Sequence, residues 1–180
     1  MLNSLFKSMR PQNIIWLGLS LLAIVLDQWS KSIATAHLTY GEAKAVFTGF
    51  DWTLLHNHGA AFSFLSDAGG WQRYLFTGMA MLVSVIFVFW LLRLPKHASI
   101  LAAGIALVLG GAIGNLIDRV SLGYVVDFIS VYYNKHYFPA FNIADSAITL
   151  GTIFLIIDML FLDKIRQTKN QTSNKPASEE

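Results

Sequence analysis

Four stretches of this chain, 14–35, 74–92, 99–117 and 142–162, are each long and apolar enough to cross a bilayer as a helix. A span takes about 20 residues, and only a helix or a closed barrel satisfies its own backbone in hydrocarbon. The expected class is therefore an all-α membrane protein with four transmembrane helices. The 180 residues are 54% hydrophobic and only 13% charged, with mean hydropathy +0.51. That is too little charge to cover a soluble surface, and four spans leave no room for a separate soluble domain. One membrane domain, 1–163, and a polar, disordered tail, 164–180, are expected. The net charge of +2 and the lack of a basic run with interleaved aromatics argue against nucleic acid. No cysteine is present, which excludes thiolate catalysis, disulfides and Cys-ligated metals.

The basic residues orient the bundle. Lys7, Arg10, Arg93, Lys96, Lys164, Arg166, Lys169 and Lys175 are eight of the thirteen Lys and Arg, and four spans put the three regions that hold them on one side. The positive-inside rule makes that side cytoplasmic, with both termini there. The longer connections, 37–73 and 120–140, then face outward. The basic start, apolar core and Ala34-Thr35-Ala36 imitate a cleavable signal peptide, but Asp27 and Lys31 interrupt the pattern and favour a retained span.

Two aspartates draw the chemistry to the outer end. Asp127 lies in Val125-Val126-Asp127-Phe128, and Asp145 stands at the threshold of the fourth span in Phe141-Asn142-Ile143-Ala144-Asp145-Ser146. Two carboxylates a few ångströms apart cannot both ionise at neutral pH; sharing a proton, one serves as base and the other as acid. A plainer reading stands beside this. Asn142 and Asp145 have the spacing of a helix-capping box, and an acid at a span's end is often only a cap or an interfacial charge. Asp27 and Lys31, four apart on one helical face, can form a simple interfacial ion pair with Lys31 snorkelling to the headgroups.

Elsewhere, Val46 to His56 is rich in strand formers and reads as a short hairpin near the membrane surface. Val120 to Pro139 reads as a loop of about 20 residues, long enough to be functional, with Tyr132, Tyr133, Tyr137 and Phe138 suited to an interface. Gly110 and Gly114 form a small-residue face for close helix packing. Asp158, about 20 Å beyond Asp145 along a helix, belongs to the opposite interface and has no assigned role.

Taken in order, Asp27-Gln28-x-x-Lys31, Asn57-x-Gly59-Ala60-Ala61-Phe62, Gly114-Asn115-x-x-Asp118-Arg119, Gly123-x-Val125-Val126-Asp127-Phe128 and Phe141-Asn142-x-Ala144-Asp145-Ser146 resemble the motifs of the lipoprotein signal peptidases, or signal peptidase II. The resemblance runs from about Ile14 to Leu162. It implies an aspartic endopeptidase with Asp127 and Asp145 as the catalytic dyad. Asp27, Lys31, Asn57, Gly59, Asn115, Asp118, Arg119 and Asn142 would support the site or contact substrate. A small outer-face β cradle is also implied, with an outer-face loop or short helix. The implied substrate is a diacylglyceryl-modified prolipoprotein, cut on the amino side of the lipidated cysteine in the bacterial inner membrane, at the outer (periplasmic) face. No metal or other cofactor is expected, and membrane lipid is the other partner of what is expected to be a monomer.

Other chemistries remain open at this point. His56 and His58 share one side of a strand and invite a metal, although no His-Glu-x-x-His is present. Lys31 with Ser30 or Ser63 would make a Ser-Lys hydrolase. Membrane acids also mark proton-coupled carriers, but a carrier would spread them through the bilayer.

Overall fold

The computed structural model describes residues 10–58, 70–95, 97–162 and 165. Gly59 to Phe62, Ser63, Lys7, Lys96 and the 164–180 tail, except for Ile165, lie outside the described residues. A 3-10 turn, Pro11–Ile14, leads into α1, Ile15–His37. The strands β1, Lys44–Phe47, and β2, Phe50–Asn57, follow. Next come α2, Trp71–Arg93, and α3, Ser99–Ser121, then β3, Val125–Tyr133, and β4, His136–Tyr137. Helix α4, Ile143–Ile157, ends in a π-helical turn, Asp158–Leu162. The chain is mostly helical, with four helices of membrane-spanning length and hydropathy: Pro11–His37, Trp71–Arg93, Ser99–Ser121 and Ile143–Leu162. It is a multi-pass membrane protein.

Helix α3 is central. In its apolar window 56% of residues are buried, against 6% for α2, whose side chains face outward almost all round. Glycine makes this possible. A methyl group on Gly110 would lie 2.7 Å from the Ser20 carbonyl of α1. On Gly151 it would lie 2.7 Å from the Gly104 carbonyl, so α3 and α4 meet backbone to backbone. The small-residue face expected at Gly110 and Gly114 is thus present, and it extends to Gly104, Gly111 and Gly151. At the other end of the bundle, Leu91, Leu94, Ala102, Ile105 and Ala106 form the apolar core. There Asn13 fastens the start of the chain to α2 by donating to the Leu91 and Leu94 carbonyls.

The third span runs four residues past its expected end. Asn115, Asp118 and Arg119 stay helical because their side chains turn into the protein, and the helix stops at Gly123, whose φ of 90° suits glycine at a helix C-terminus.

The stretch expected as a loop, 120–139, is instead the spine of a four-stranded antiparallel sheet of order β1-β2-β3-β4. Val125 to Phe128 is buried on both faces, which removes the apolar–polar alternation that reveals a strand. The expected hairpin is present as β1 and β2. Between Trp52 and Leu55 the register slips by one: Trp52 pairs with Ile129, but Leu55 pairs with Asp127 and Asn57 with Val125. That bulge turns Asn57 onto the face of β3 that carries Asp127.

Candidate active site

Alternate helix directions bring the C-terminal ends of α1 and α3 and the N-terminal end of α4 to the sheet. Buried polar side chains gather there. Asp27 is wholly buried, as is Asn142, and Lys31, Asn115, Asp118 and Asp127 are nearly so.

Lys31 is the hub. Its ammonium lies 2.8 Å from Asp27 Oδ2 and 2.9 Å from Asp118 Oδ2, and it donates to Asn115 Oδ1 at 3.0 Å. Three acceptors meet three N–H donors. The ion pair expected between Asp27 and Lys31 exists, but Lys31 does not snorkel; it is buried because it has two carboxylates to neutralise. With its donors so engaged, Lys31 offers no free amine to a serine, and the Ser30 hydroxyl donates to the Asp27 carbonyl.

Each of these carboxylates then grips another element. Asp27 Oδ1 accepts from the backbone N–H of Ala144 in the first turn of α4 at 2.8 Å. Asp118 Oδ2 accepts from the Val126 N–H of β3 at 3.0 Å. Gln28 binds both, donating to Asp118 Oδ1 at 2.8 Å and to Asp27 Oδ2 at 3.2 Å. Gln28 belongs to the Asp27-Gln28-x-x-Lys31 motif, whose residues the resemblance makes supporting or substrate-contacting, and it stands three before Lys31 on one helical face.

The two central aspartates are joined through one residue. Asn142 Nδ2 donates to Asp127 Oδ1 at 2.8 Å, while its backbone N–H donates to Asp145 Oδ2 at 3.2 Å. Its Oδ1 accepts from the Asp145 N–H at 2.9 Å, which completes the capping box read from the sequence. Asp145 therefore caps its helix and faces Asp127's surroundings at once. Asn115 Nδ2 donates to Asp145 Oδ1 at 2.8 Å, and Asn57 Nδ2 donates to Asp127 Oδ2 at 3.1 Å. Burial and then the charge of Asp145 raise the Asp127 carboxyl to about 7, against the lowering influence of Asn57, Asn142 and Lys31.

Both aspartates open onto cavities. Asp145 lines a groove of about 720 Å³ with Arg119, Phe76, Ile148, Leu150 and Ile153. Asp127 lines one of about 630 Å³ with Thr53, His56, His58, Ser130 and Tyr137. Asn57 and Phe138-Pro139-Ala140 border both, so the two aspartates sit where the two cavities meet. Arg119 stands over the Phe76 ring, 5.7 Å from its centroid. His56 stacks on Tyr124 at 3.9 Å between ring centroids, and His58 meets the same ring edge-on at 5.5 Å. Among the described residues, no group of three or more His, Asp or Glu is placed to hold one metal ion. Asp158 is buried at the far end of the fourth span, remote from this network.

All the site residues expected from the sequence converge here, except Gly59, which lies outside the described residues. A four-span membrane protein with two aspartates linked through one asparagine, one on a small sheet and one at the start of the fourth span, is the class that fold and site define. The family model described as Signal peptidase (SPase) II matches residues 19–161. The lipoprotein signal peptidase of Acinetobacter baylyi is 69% identical over 156 residues, covering 87% of each chain. That of Pseudomonas fluorescens is 54% identical over 157 residues, covering 86% of this chain and 92% of the relative. A bacterial membrane enzyme solved in meso at 2.3 Å resolution superposes with a TM-score of 0.68 at 30% identity, covering 94% of both chains. The chain belongs to the signal peptidase II family, and is a peptidase of lipoprotein processing.

Proposed function

We propose that this protein is an aspartic endopeptidase, a single membrane protease domain over 1–163, acting on diacylglyceryl-modified prolipoproteins. It cuts on the amino side of the lipidated cysteine and releases the signal peptide. The observation that carries the mechanism is the coupling of Asp127 and Asp145 through Asn142. We assign the proton the two carboxyls share to Asp127, whose carboxyl is raised to about 7, and the role of base to Asp145.

Water between them gives a proton to Asp145 as its oxygen bonds to the scissile carbonyl carbon, and Asp127 protonates the carbonyl oxygen. The tetrahedral diol collapses when Asp145 passes its proton to the leaving nitrogen and Asp127 regains one from the diol. One water is consumed, and both carboxyls return to their starting states. Asn57, Asn115 and Asn142 hold the two carboxyls, and the Lys31 network with Asp27, Asp118 and Gln28 holds the asparagines. Arg119 positions substrate in the groove beside Asp145. Gly59 supports the site or contacts substrate on the same reading.

The apolar groove suits acyl chains and the signal helix, and the cavity beside Asp127 admits water and the polar residues after the cut. The reading includes the cytoplasmic (inner) membrane of a bacterium, both termini in the cytoplasm, the site at the outer face, and a monomer that takes its substrate from the surrounding lipid. Purified protein with a lipidated model prolipoprotein tests the mechanism, with Asp127→Asn and Asp145→Asn as controls. Each should lose at least the 10²- to 10⁴-fold typical of a missing acid or base while remaining folded. Retention of more than about a hundredth of the turnover by either variant would remove that aspartate from the dyad.

A further inference from the structure

A third cavity lies away from the aspartates, where α1 leaves the membrane. About 480 Å³ in volume, it is bounded by Ile33, Ala34, His37 and Leu38 at the end of α1 and by Lys44, Ala45, Val46 and Trp52 of the hairpin. Its lower wall is apolar and its rim is cationic. Among the described residues Lys44 makes no ion pair, and Glu42, the acid nearest to it in sequence, is exposed and does not border the cavity. The carbonyls at the helix end would oppose an anion, but two are already occupied: the His37 ring bonds Ile33 O and the Leu38 N–H bonds Ala34 O.

Below the cavity, an uncovered stripe continues down α1. Ile33, Trp29, Leu26 and Leu22 recur at helical spacing, and each is more than 40% exposed. The eleven residue steps from Leu22 to Ile33 rise about 16 Å, close to the roughly 15 Å of hydrocarbon in one leaflet. A cation at the interface above a one-leaflet apolar stripe, with Trp52 lining the cavity beside it, complements an anionic phospholipid in dimensions and charge.

We propose that this cavity and stripe form a binding site for one anionic phospholipid, its phosphate at Lys44 and one acyl chain along Ile33, Trp29, Leu26 and Leu22. The site is separate from the peptidase site and does not depend on the proposed mechanism.

The full chain, released for native mass spectrometry from micelles carrying equal amounts of phosphatidylglycerol and phosphatidylcholine with matched chains, tests this. Wild type should retain a single phosphatidylglycerol at least fivefold over phosphatidylcholine. Lys44→Glu should reduce that ratio to near one, and Lys135→Glu, on the exposed β3–β4 turn, should leave it unchanged. Equal retention of the two lipids by wild type, or the same loss with Lys135→Glu as with Lys44→Glu, would overturn the proposal. Displacement of the lipid by millimolar glycerol 3-phosphate would also overturn it, since the stripe would then contribute nothing. Both lysines are exposed, so neither variant threatens folding.

Discussion

Lys31 and Asn115, 84 residues apart in the chain, meet with the ammonium donating to the Asn115 side-chain oxygen at 3.0 Å. That bond decides which way the Asn115 amide faces. Its oxygen is held toward Lys31, so its N–H₂ points at Asp145, to which it donates at 2.8 Å. A cation that touches neither aspartate of the proposed dyad therefore fixes a donor that does. Replacing Lys31 with Met should leave Asp27 and Asp118 buried without their common counter-ion, at a cost of about 3–5 kcal/mol. Thermal unfolding in detergent measures it, and a Lys31→Met protein as stable as wild type would show that the carboxylates do not need the ammonium.

The raised carboxyl of Asp127 predicts two pH dependences. Its folded value, about 7, exceeds the ordinary 3.8, so the folded state holds this proton more tightly than the unfolded chain does. The resulting stabilisation is fully present below about pH 4 and is lost as pH rises through 7. Unfolding at a series of pH values should show wild type declining over that window and Asp127→Asn declining less. On the proposed mechanism, turnover should fall above pH 7 as Asp127 loses the proton it donates. A rate that keeps rising to pH 9 would require a different acid.

Close packing of α3 on α4 gives a test free of charge. Gly151→Ala sets a methyl group against the Gly104 carbonyl, whereas Gly78 in α2 has nothing within 4 Å of such a methyl. The first should destabilise by about 1–3 kcal/mol. The second should be neutral or gain up to about 1 kcal/mol from helix propensity. Equal effects would mean that the α3–α4 contact adjusts without strain.

Orientation is open to chemical labelling, since the wild-type chain has no cysteine. A thiol at Lys44 or Lys135 should react with an impermeant reagent added to spheroplasts. Labelling only after permeabilisation would reverse the proposed topology.

Recognition of lipid is expected to be positional. A buried CH₂ contributes about 0.8 kcal/mol, but much of that is already available in the bilayer, so the diacylglyceryl group should act by placing the scissile bond at the depth of Asp127 and Asp145. In micelles that present both forms of one substrate, kcat/KM should be higher for the lipidated form. Equal values would move recognition to the peptide alone.

The spans were legible because apolar length is a one-dimensional property, and the Asn142–Asp145 cap because its spacing is local. Asp27 and Lys31 were legible as a pair but not as a buried one. Their burial depends on Asp118, Asn115 and the Ala144 N–H, which arrive from helices 84 to 117 residues away. Strand β3 was hidden by being covered on both faces. The partners of Gln28 were hidden, although the motif included it, because Gly114 and Asp118 reach it only once α3 is placed beside α1.

The one-residue bulge between Trp52 and Leu55 makes the hairpin a measuring device. Because side chains alternate, removing a single residue there would swing Asn57 to the opposite side of the sheet and strip Asp127 of one of its two side-chain donors. The Thr48-Gly49 turn at the hairpin's tip lies upstream of the bulge, so added residues there could loop out without shifting the count. Length variation in this protein should be tolerated at the tip and forbidden over the eight residues of β2, although both belong to one small ribbon.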